Sequence, residues 1–309
     1  MRRLGTSDLD VSPLCLGGNV FGWTADEDAS FAVLDAYVAA GGNFIDTADT
    51  YSSWAPGHTG GESEAVIGRW LAARGNRDDV VIATKVGKMP GSEGLSAQTI
   101  RRAAEASLQR LQTDRIDVYY AHADDEDTPL AETLGAFGEL VAAGMVRHVA
   151  ASNYTAPRLA EALAVAEREG LPRYVALQTH YNLVERGYED DLAEVVAAHG
   201  LGTLPHWALA KGFLTGKYRP GGPEVDSPRA PAASVYLDRG VPVLEALDEV
   251  AREQDTTVPA VALAWLAAQP TVVCPVASAR NLEQLADLLP AQDLTLTDAQ
   301  VARLTDASA

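Results

Sequence analysis

The most constraining feature of this sequence is a short apolar run followed by a helical pattern, repeated eight times. Most of the runs lack polar–apolar alternation, which is typical of strands covered on both faces of a parallel sheet. The predicted strands are PLCLGG (13–18), NFIDTAD (43–49), VVIATKV (80–86), IDVYYAH (116–122), VRHVAAS (146–152), YVALQTHY (174–181), GTLPHWA (202–208) and VVCPVAS (272–278). The helical stretches lie near 26–40, 62–73, 96–111, 129–142, 156–168, 189–198, 258–268 and 281–288. Eight such units predict an α/β fold, a closed (β/α)8 TIM barrel, with an open doubly wound sheet as the weaker alternative.

Two segments break the repeat. The first twelve residues, with a turn at Ser7-Asp8, predict an N-terminal hairpin that closes the bottom of the barrel. The stretch 212–240 after strand 7 is rich in Gly and Pro and too long for a simple connection, which is typical of a lid or binding loop. An extra helix is expected near 241–254. The strand–helix units share no repeated amino-acid sequence, and no domain boundary stands out, so we expect one domain over 1–309.

Charge and cysteine content restrict the partners and the compartment. The net charge of −19 disfavours nucleic acid and anionic membranes, because both require basic surfaces. Cys15 and Cys274 lie in apolar runs, and we expect both to be buried, reduced thiols. The N-terminus lacks the apolar stretch of a signal peptide, and no run of eighteen apolar residues is present. These features predict a cytoplasmic protein.

Polar residues end almost every predicted strand. Active sites of (β/α)8 barrels lie at the C-terminal ends of the strands, so these side chains should converge on one mouth. In chain order they are Gly17, Gly18, Asn19, Asp46, Lys85, His122, Ser152, Asn153, Gln178, His206 and Trp207.

Four residues at this mouth form a proton-transfer set. Asp46, Lys85 and His122 end strands, and Tyr51 follows Asp46 in a loop. Taken singly, each has an ordinary structural explanation as a cap, a surface lysine, a core histidine or a packing tyrosine. Together they suit reduction of an aldehyde or ketone, because an ammonium beside a phenol stabilises the phenolate and lowers its pKa. An imidazole then orients the carbonyl, while a cofactor supplies the hydride.

The motifs FIDTADTYS, ESEAVIG (62–68), VVIATKVG, DVYYAHADD, ASNY, QTHYNL and GFLTGKY, followed by EQL (283–285), occur in one order along nearly the whole chain. In this set and order the chain resembles the aldo-keto reductase superfamily, and in particular bacterial NADPH-dependent members similar to the potassium-channel β-subunit branch. The resemblance implies a barrel that binds NADP(H) in an extended pose without a Rossmann domain. The sequence indeed contains neither G-x-G-x-x-G nor G-x-x-x-x-G-K-[ST].

The resemblance also implies roles for individual residues. Tyr51 is the expected general acid, Lys85 and Asp46 tune it, and His122 orients the carbonyl oxygen. Arg280 is expected to favour NADPH, because a guanidinium suits a phosphate. Trp23 and Trp54, together with Phe21 and His122, are expected to form the substrate pocket, and no metal site is expected. The expected cofactor-binding residues are Gly18, Asn19, Asp46, Ser152, Asn153, Gln178, His206, Trp207, Leu209, Lys211, Gly212, Ser278, Arg280 and Gln284.

The chain departs from the superfamily pattern at His206 and Trp207. His206 occupies a position where an aromatic residue, often tyrosine, stacks on the nicotinamide. A histidine that ionises near pH 6–7 would make cofactor binding depend on pH. Trp207 would either crowd the pocket or supply the stacking face.

The sequence therefore predicts an NADPH-dependent reductase of a small-molecule carbonyl, which leaves sugar, quinone, polyketide and aldehyde substrates open. One alternative is an NADP(H)-binding regulatory or redox-sensing subunit with little turnover. Another is a lyase in which Lys85 forms a Schiff base, although the nearby Asp46 should keep that amine charged. The oligomeric state is not indicated.

Overall fold

The computed structural model describes residues 1–308, and the strands within them form one barrel sheet and two short hairpins. The strands are β1 Arg2–Arg3, β2 Asp10–Val11, β3 Cys15–Gly17, β4 Phe44–Asp46, β5 Val81–Val86, β6 Lys88–Met89, β7 Ser92–Glu93, β8 Ile116–Ala121, β9 Val146–Ser152, β10 Tyr174–His180, β11 Gly202–His206 and β12 Val276–Ala277. The α-helices are α1 Glu27–Ala39, α2 Glu62–Arg74, α3 Ala97–Leu111, α4 Leu130–Ala142, α5 Ala156–Glu169, α6 Leu192–His199, α7 Ala230–Ser234, α8 Leu237–Glu253, α9 Val258–Ala267, α10 Leu282–Leu288 and α11 Asp298–Ala307.

The eight-stranded sheet has the order β11-β10-β9-β8-β5-β4-β3-β12, and every neighbouring pair is parallel. A parallel bridge between Thr203 and Val272 joins the two edges, with the Thr203 N–H donating to Thr271 O at 2.8 Å. Each strand coincides with one of the apolar runs in the sequence, and a predicted helix follows each of the first six. The predicted (β/α)8 barrel is confirmed, and the open sheet is not formed.

Burial on both faces explains the continuous apolar runs. Side chains on the inner face form one core, which includes Phe44, Val118, Tyr120 and Leu204, each fully buried. Side chains on the outer face pack against the surrounding helices in a second, larger core. A strand buried on both sides needs apolar residues at successive positions, which is why the strands do not alternate.

The N-terminal hairpin closes one end of the barrel, as predicted. β1 and β2 pair antiparallel, and Leu4, Leu9 and Val11 pack into the inner core. Gly5 lies against the backbone of Val175, near the beginning of β10. The hairpin therefore covers the N-terminal ends of the strands and leaves the C-terminal ends open.

Cys15 and Cys274 are both buried in the inner core and are not joined by a disulfide, as the sequence predicted. Burial raises the pKa of the Cys15 thiol well above its usual range, which keeps it protonated. No helix within residues 1–308 has the length and apolar character needed to cross a membrane.

The stretch after β11 is largely irregular. It begins with the 3-10 segment Ala210–Thr215, passes through α7 and enters α8, which corresponds to the extra helix expected near 241–254. The last helix, α11, was not predicted from the sequence. This helix begins with a capping box in which Thr297 and Gln300 satisfy each other's backbone N–H groups.

Candidate active site

A cavity of about 670 Å³ opens at the C-terminal ends of the strands. It collects nearly all of the residues that the sequence analysis singled out, although they come from positions spread over the whole chain. The predicted residues that line it are Gly17, Asn19, Trp23, Asp46, Tyr51, Trp54, His122, Ser152, Asn153, Gln178, His206, Trp207, Leu209, Lys211, Gly212, Ser278, Arg280 and Gln284.

Three predicted residues do not line the cavity. Lys85 lies behind Asp46 and Tyr51 and is fully buried. Gly18 lies beneath the cavity, where a Cβ atom would come within 2.9 Å of Ser63 Oγ, so close packing accounts for the glycine. Phe21 is fully buried in the outer core and does not contribute to the expected aromatic wall.

Lys85 is the centre of a hydrogen-bonded group at the bottom of the cavity. Its Nζ donates to Asp46 Oδ2 at 2.6 Å, to Thr47 O at 2.7 Å and to Tyr51 Oη at 2.8 Å. These three bonds use all three protons of the ammonium group. A Schiff base needs a neutral amine with a free lone pair, so this arrangement disfavours the lyase alternative.

Asp46 accepts from three side chains. In addition to Lys85, Tyr51 Oη donates to Asp46 Oδ2 at 3.2 Å, and Gln178 Nε2 donates to Oδ1 at 2.9 Å. The carboxylate is nearly inaccessible to solvent. Since a buried charge is tolerated when it is paired and hydrogen-bonded, the ammonium and carboxylate stabilise each other here.

The pKa of Tyr51 differs from the expectation that the lysine lowers it. Burial raises the pKa of Tyr51 well above its usual range, and the negative charge of Asp46 raises it further. Burial also lowers the pKa of Lys85, while Asp46 opposes that change. The expectation was wrong because it considered only the positive charge of Lys85. Desolvation of the phenol and the adjacent carboxylate of Asp46 both raise the pKa. Tyr51 is therefore a fully protonated phenol.

His122 lies beside Tyr51, with ring centroids 6.1 Å apart. Burial lowers the pKa of His122 well below its usual range, and the positive charges of Lys85 and Lys88 add to the effect. The imidazole is therefore neutral. Its Nδ1 atom is buried and has no hydrogen-bond partner among the described residues.

Asn153 connects residues at the ends of strands β8, β9 and β11. Its Nδ2 donates to His122 O and to Ser152 Oγ, both at 2.9 Å, and its Oδ1 lies 2.9 Å from His206 Nε2. The residue has a φ of 56°, in the left-handed region where asparagine is among the tolerated residues. This network fixes the orientation of the His206 ring at the cavity wall.

His206 does not ionise in the range expected from the sequence. Burial lowers the pKa of His206 to about 3, and His180, which stacks on it with centroids 5.7 Å apart, contributes positive charge in the same direction. The expected pH dependence near 6–7 was wrong, because it assumed an exposed imidazole. His206 presents a neutral, flat ring instead.

The backbone after β11 contains residues in unusual conformations. Trp207, Ala210 and Lys211 all have positive φ, and Gly212 follows with a φ of 99°. Non-glycine residues in this region are strained, and such strain clusters at binding sites. On the opposite wall, Ser278 Oγ donates to Asn19 Oδ1 at 2.6 Å, which ties the loop after β3 to the residue after β12.

Positive side chains are concentrated at this cavity in an otherwise acidic chain. The sequence contains four lysines, and Lys88, Lys211 and Lys217 line the cavity while Lys85 lies behind it. Arg229 and Arg280 line it as well. Among the described residues, none of these five cavity-lining cations forms an ion pair or donates a side-chain hydrogen bond.

Lys88, Lys217 and Arg229 also line the cavity, although they were not predicted from the sequence. Lys217, Arg229 and Arg280 line the same cavity, where desolvation lowers the pKa of Lys217 and the positive charges of Arg280 and Arg229 lower it further. Arg229 also stacks over Trp207, with its guanidinium carbon 5.6 Å from the ring centroid. The sequence signal for the two lysines was that all four lysines of the chain fall in two short segments, 85–88 and 211–217.

Two tryptophans beside Tyr51 form an aromatic wall of the cavity. Trp23 and Trp54 pack edge to face with centroids 5.5 Å apart, and Trp54 is 49% exposed. The exposed part of the indole gives the cavity a flat apolar surface. The described residues contain no group of three or more His, Cys, Asp or Glu side chains that suits a metal ion.

Comparison with known proteins agrees with this architecture. The model of the aldo/keto reductase family matches residues 13–309. The chain belongs to the aldo/keto reductase family. The uncharacterized oxidoreductase YrpG of Bacillus subtilis is 35% identical over 97% of this chain and 93% of its own.

Two further relatives extend the comparison. Norsolorinic acid reductase B of Aspergillus parasiticus is 32% identical over 97% of this chain and 82% of its own, and protein tas of Escherichia coli is 32% identical over 98% and 95%. The predicted resemblance is thereby confirmed, and the chain is an oxidoreductase of this family.

Proposed function

We propose that the protein is an NADP(H)-dependent reductase that converts an aldehyde or ketone to an alcohol. The observation that carries the proposal is the buried Asp46–Lys85–Tyr51 group, which presents a protonated phenol beside a neutral imidazole in a cavity rich in unpaired cations. The relatives named as reductases and oxidoreductases support the same class of reaction.

The donor set of the cavity fits a phosphate-bearing dinucleotide. Four cations of the cavity have no carboxylate partner among the described residues, namely Lys211, Lys217, Arg229 and Arg280. Lys217 and Arg229 are partly desolvated, which strengthens their attraction to a bound anion. Ser152, Asn153 and Gln178 offer amide and hydroxyl groups near the catalytic group, suited to a carboxamide. Arg280 is the proposed reader of the additional phosphate of NADP(H).

When bound, the dinucleotide supplies the hydride that reaches the carbonyl carbon. Tyr51 donates its hydroxyl proton to the carbonyl oxygen, so that the C=O double bond becomes a C–O single bond, with a new C–H bond from the hydride and a new O–H bond from Tyr51. The raised pKa keeps this proton in place at any working pH. The phenol still serves as an acid, because the oxygen that receives the proton develops alkoxide character and is a stronger base than a phenolate.

Lys85 acts on Tyr51 rather than on the substrate. Its Nζ donates to Tyr51 Oη at 2.8 Å, so the ammonium stabilises the phenolate that forms when the proton leaves. Asp46 holds the ammonium in position at 2.6 Å and keeps the buried cation paired. Both residues are fixed by strands, which gives the acid a rigid orientation.

His122 positions the substrate. A neutral imidazole carries one N–H donor and one acceptor, so it can donate one hydrogen bond to the carbonyl oxygen without competing with Tyr51 for protonation. Trp23 and Trp54 supply the apolar wall against which the rest of the substrate packs.

We also propose a cellular location, a class of partner and a domain organisation for the protein. Two buried unpaired thiols suit a reducing compartment, and we propose the cytoplasm. The strongly acidic composition and the enclosed cavity favour a small molecule over nucleic acid as the partner. We also propose that residues 1–309 act as one domain.

The test is to follow NADPH and NADH absorbance side by side with a panel of aromatic aldehydes and diketones. Consumption of NADPH, with NADH much slower, supports the proposal and the assignment of Arg280. Measurable NADPH binding without consumption on the whole panel would contradict the reductase and favour the regulatory subunit. Faster use of NADH would contradict the phosphate assignment alone.

A further inference from the structure

Lys88 is a cation at the cavity that the proposed proton transfer does not use. It begins the short strand β6, two residues after β5 ends, and its side chain lines the cavity together with Trp23, Trp54 and His122. Among the described residues, its ammonium group forms no ion pair and no hydrogen bond. Lys88 is exposed to solvent at the rim of the cavity, so an anionic ligand can reach its ammonium group directly.

Nearby carboxylates are present but committed elsewhere. Glu93 is directly opposite Lys88 in the β6–β7 hairpin, where a cross-strand ion pair is the ordinary arrangement. The Glu93 carboxylate instead accepts from the Gly91 N–H at 3.0 Å within the turn. Asp125, which packs on the same loop, accepts from Leu95 N and Thr128 Oγ1, both at 2.7 Å. The hairpin therefore holds Lys88 at the cavity without neutralising it.

Lys88 belongs to the reaction end of the cavity rather than to the phosphate end. The backbone N–H of His122 donates to Val86 O at 2.9 Å, two residues before Lys88, so Lys88 and His122 leave neighbouring strands side by side. The positive charge of Lys88 accordingly lowers the pKa of His122 and of His206. Lys217 is affected in the same way by Arg229 and Arg280, so these three cations form a separate group. A dinucleotide bound through the second group leaves Lys88 facing the substrate.

We propose that Lys88 selects carbonyl substrates that carry an anionic group, such as a carboxylate or phenolate, on an aromatic ring. Trp23 and Trp54 provide a flat apolar surface for the ring, and Lys88 and His122 line the same part of the cavity. The anion replaces the missing carboxylate partner of Lys88, while the carbonyl lies at Tyr51 and His122. The selection rests on the proposed function, but the recognition of the anion does not require turnover.

The first experiment compares two substrates that differ in charge, 4-carboxybenzaldehyde and its methyl ester. We expect the wild-type enzyme to favour the acid in kcat/KM by about tenfold, the lower end of the range for a hydrogen bond between charged groups. Lys88→Gln should abolish the preference while leaving the ester unchanged, and Lys88→Arg should retain it. Arg3→Gln is the matched control, because Arg3 is in the hairpin at the opposite end of the barrel.

Several outcomes overturn the proposal. These are the absence of a preference in the wild type, a preference that Lys88→Gln retains, and an equal loss on both substrates in Lys88→Gln, which would indicate a structural or His122-tuning role. The preference should also fall as ionic strength rises to about 0.5 M, because an exposed charge is screened by salt.

A second experiment keeps this proposal separate from the proposed function. Benzoate and benzamide have the same shape and differ in charge, and quenching of tryptophan fluorescence by each reports binding near Trp23 and Trp54. We expect tighter binding of benzoate by about tenfold in the wild type and in Arg3→Gln, and equal binding of the two in Lys88→Gln. If no carbonyl is reduced, the proposed function fails, yet this comparison still decides whether Lys88 recognises an anion.

Discussion

Asp49 makes the stability of this protein depend on pH in a direction opposite to that of most paired carboxylates. The side chain is 1% exposed, and neither of its oxygens has a hydrogen-bond partner among the described residues. The adjacent Glu64 is also buried and takes the nearby cation, because Arg110 Nε donates to Glu64 Oε2 at 2.6 Å. Burial raises the pKa of Asp49 from 3.8 to about 7, and the negative charge of Glu64 adds to the change.

The sign follows from proton binding. The folded-state pKa lies above the unfolded one, so between pH 3.8 and about 7 the folded state holds a proton that the unfolded state has lost. Raising the pH through this window therefore lowers the free energy of unfolding. At 1.36 kcal/mol per pKa unit the full cost is about 4 kcal/mol, of which about 3 kcal/mol develops between pH ~5 and ~8. An asparagine of the same shape remains neutral and avoids this cost.

The assay is urea unfolding of wild type and Asp49→Asn at a series of pH values. We expect the variant to gain about 3 kcal/mol relative to wild type between pH ~5 and ~8. Asp190→Asn is the control, because Asp190 is exposed and forms no ion pair within the described residues, and its difference from wild type should stay constant. A difference for Asp49→Asn that is independent of pH, or that shrinks as pH rises, would refute the reasoning.

Three further predictions concern the site itself. Arg280→Ala should weaken NADPH binding by about tenfold or more and change NADH binding little, because a guanidinium–phosphate contact is lost; fluorescence titration of both cofactors measures this. His206, whose pKa is lowered to about 3, should stay neutral between pH ~5.5 and ~8 and contribute less than about a twofold change in NADPH affinity over that range. A His206→Phe variant should therefore show the same pH profile of NADPH affinity as the wild type. Lys85→Met should cost about 3–5 kcal/mol in urea unfolding, because it leaves Asp46 buried and unpaired, and adding Asp46→Asn should recover part of that loss.

The barrel was predictable because the sequence pattern that indicates it extends over the whole chain. Each strand is buried on both faces, so each appears as an apolar run, and helical patterns separate the runs. The N-terminal hairpin was predictable from the turn at Ser7-Asp8. The helix Asp298–Ala307 was not, since it lies beyond the last strand and the repeat gives no reason to expect it.

The grouping of the proposed catalytic residues was predictable because strand ends converge at one mouth in a barrel. Asp46, Lys85 and His122 end strands, and this alone places them together. Lys217 and Arg229 were missed because they belong to the irregular stretch after β11, where no periodicity determines which side chains turn inward.

The pKa values of the site residues could not be predicted without the structure. The pKa of Tyr51 depends on how completely the phenol is desolvated and on which oxygen of Asp46 it faces, and spacing in the sequence contains neither quantity. His206 illustrates the same point, because its neutrality follows from burial and from the adjacent ring of His180.

The most direct test of the account is Tyr51→Phe, which removes one hydroxyl group and preserves the ring. NADPH binding, followed by fluorescence titration, should stay within about twofold of wild type, while carbonyl reduction should fall by roughly 10²–10⁴-fold, the usual contribution of a positioned acid. Reduction at a rate close to wild type with NADPH bound would contradict the claim that Tyr51 donates the proton.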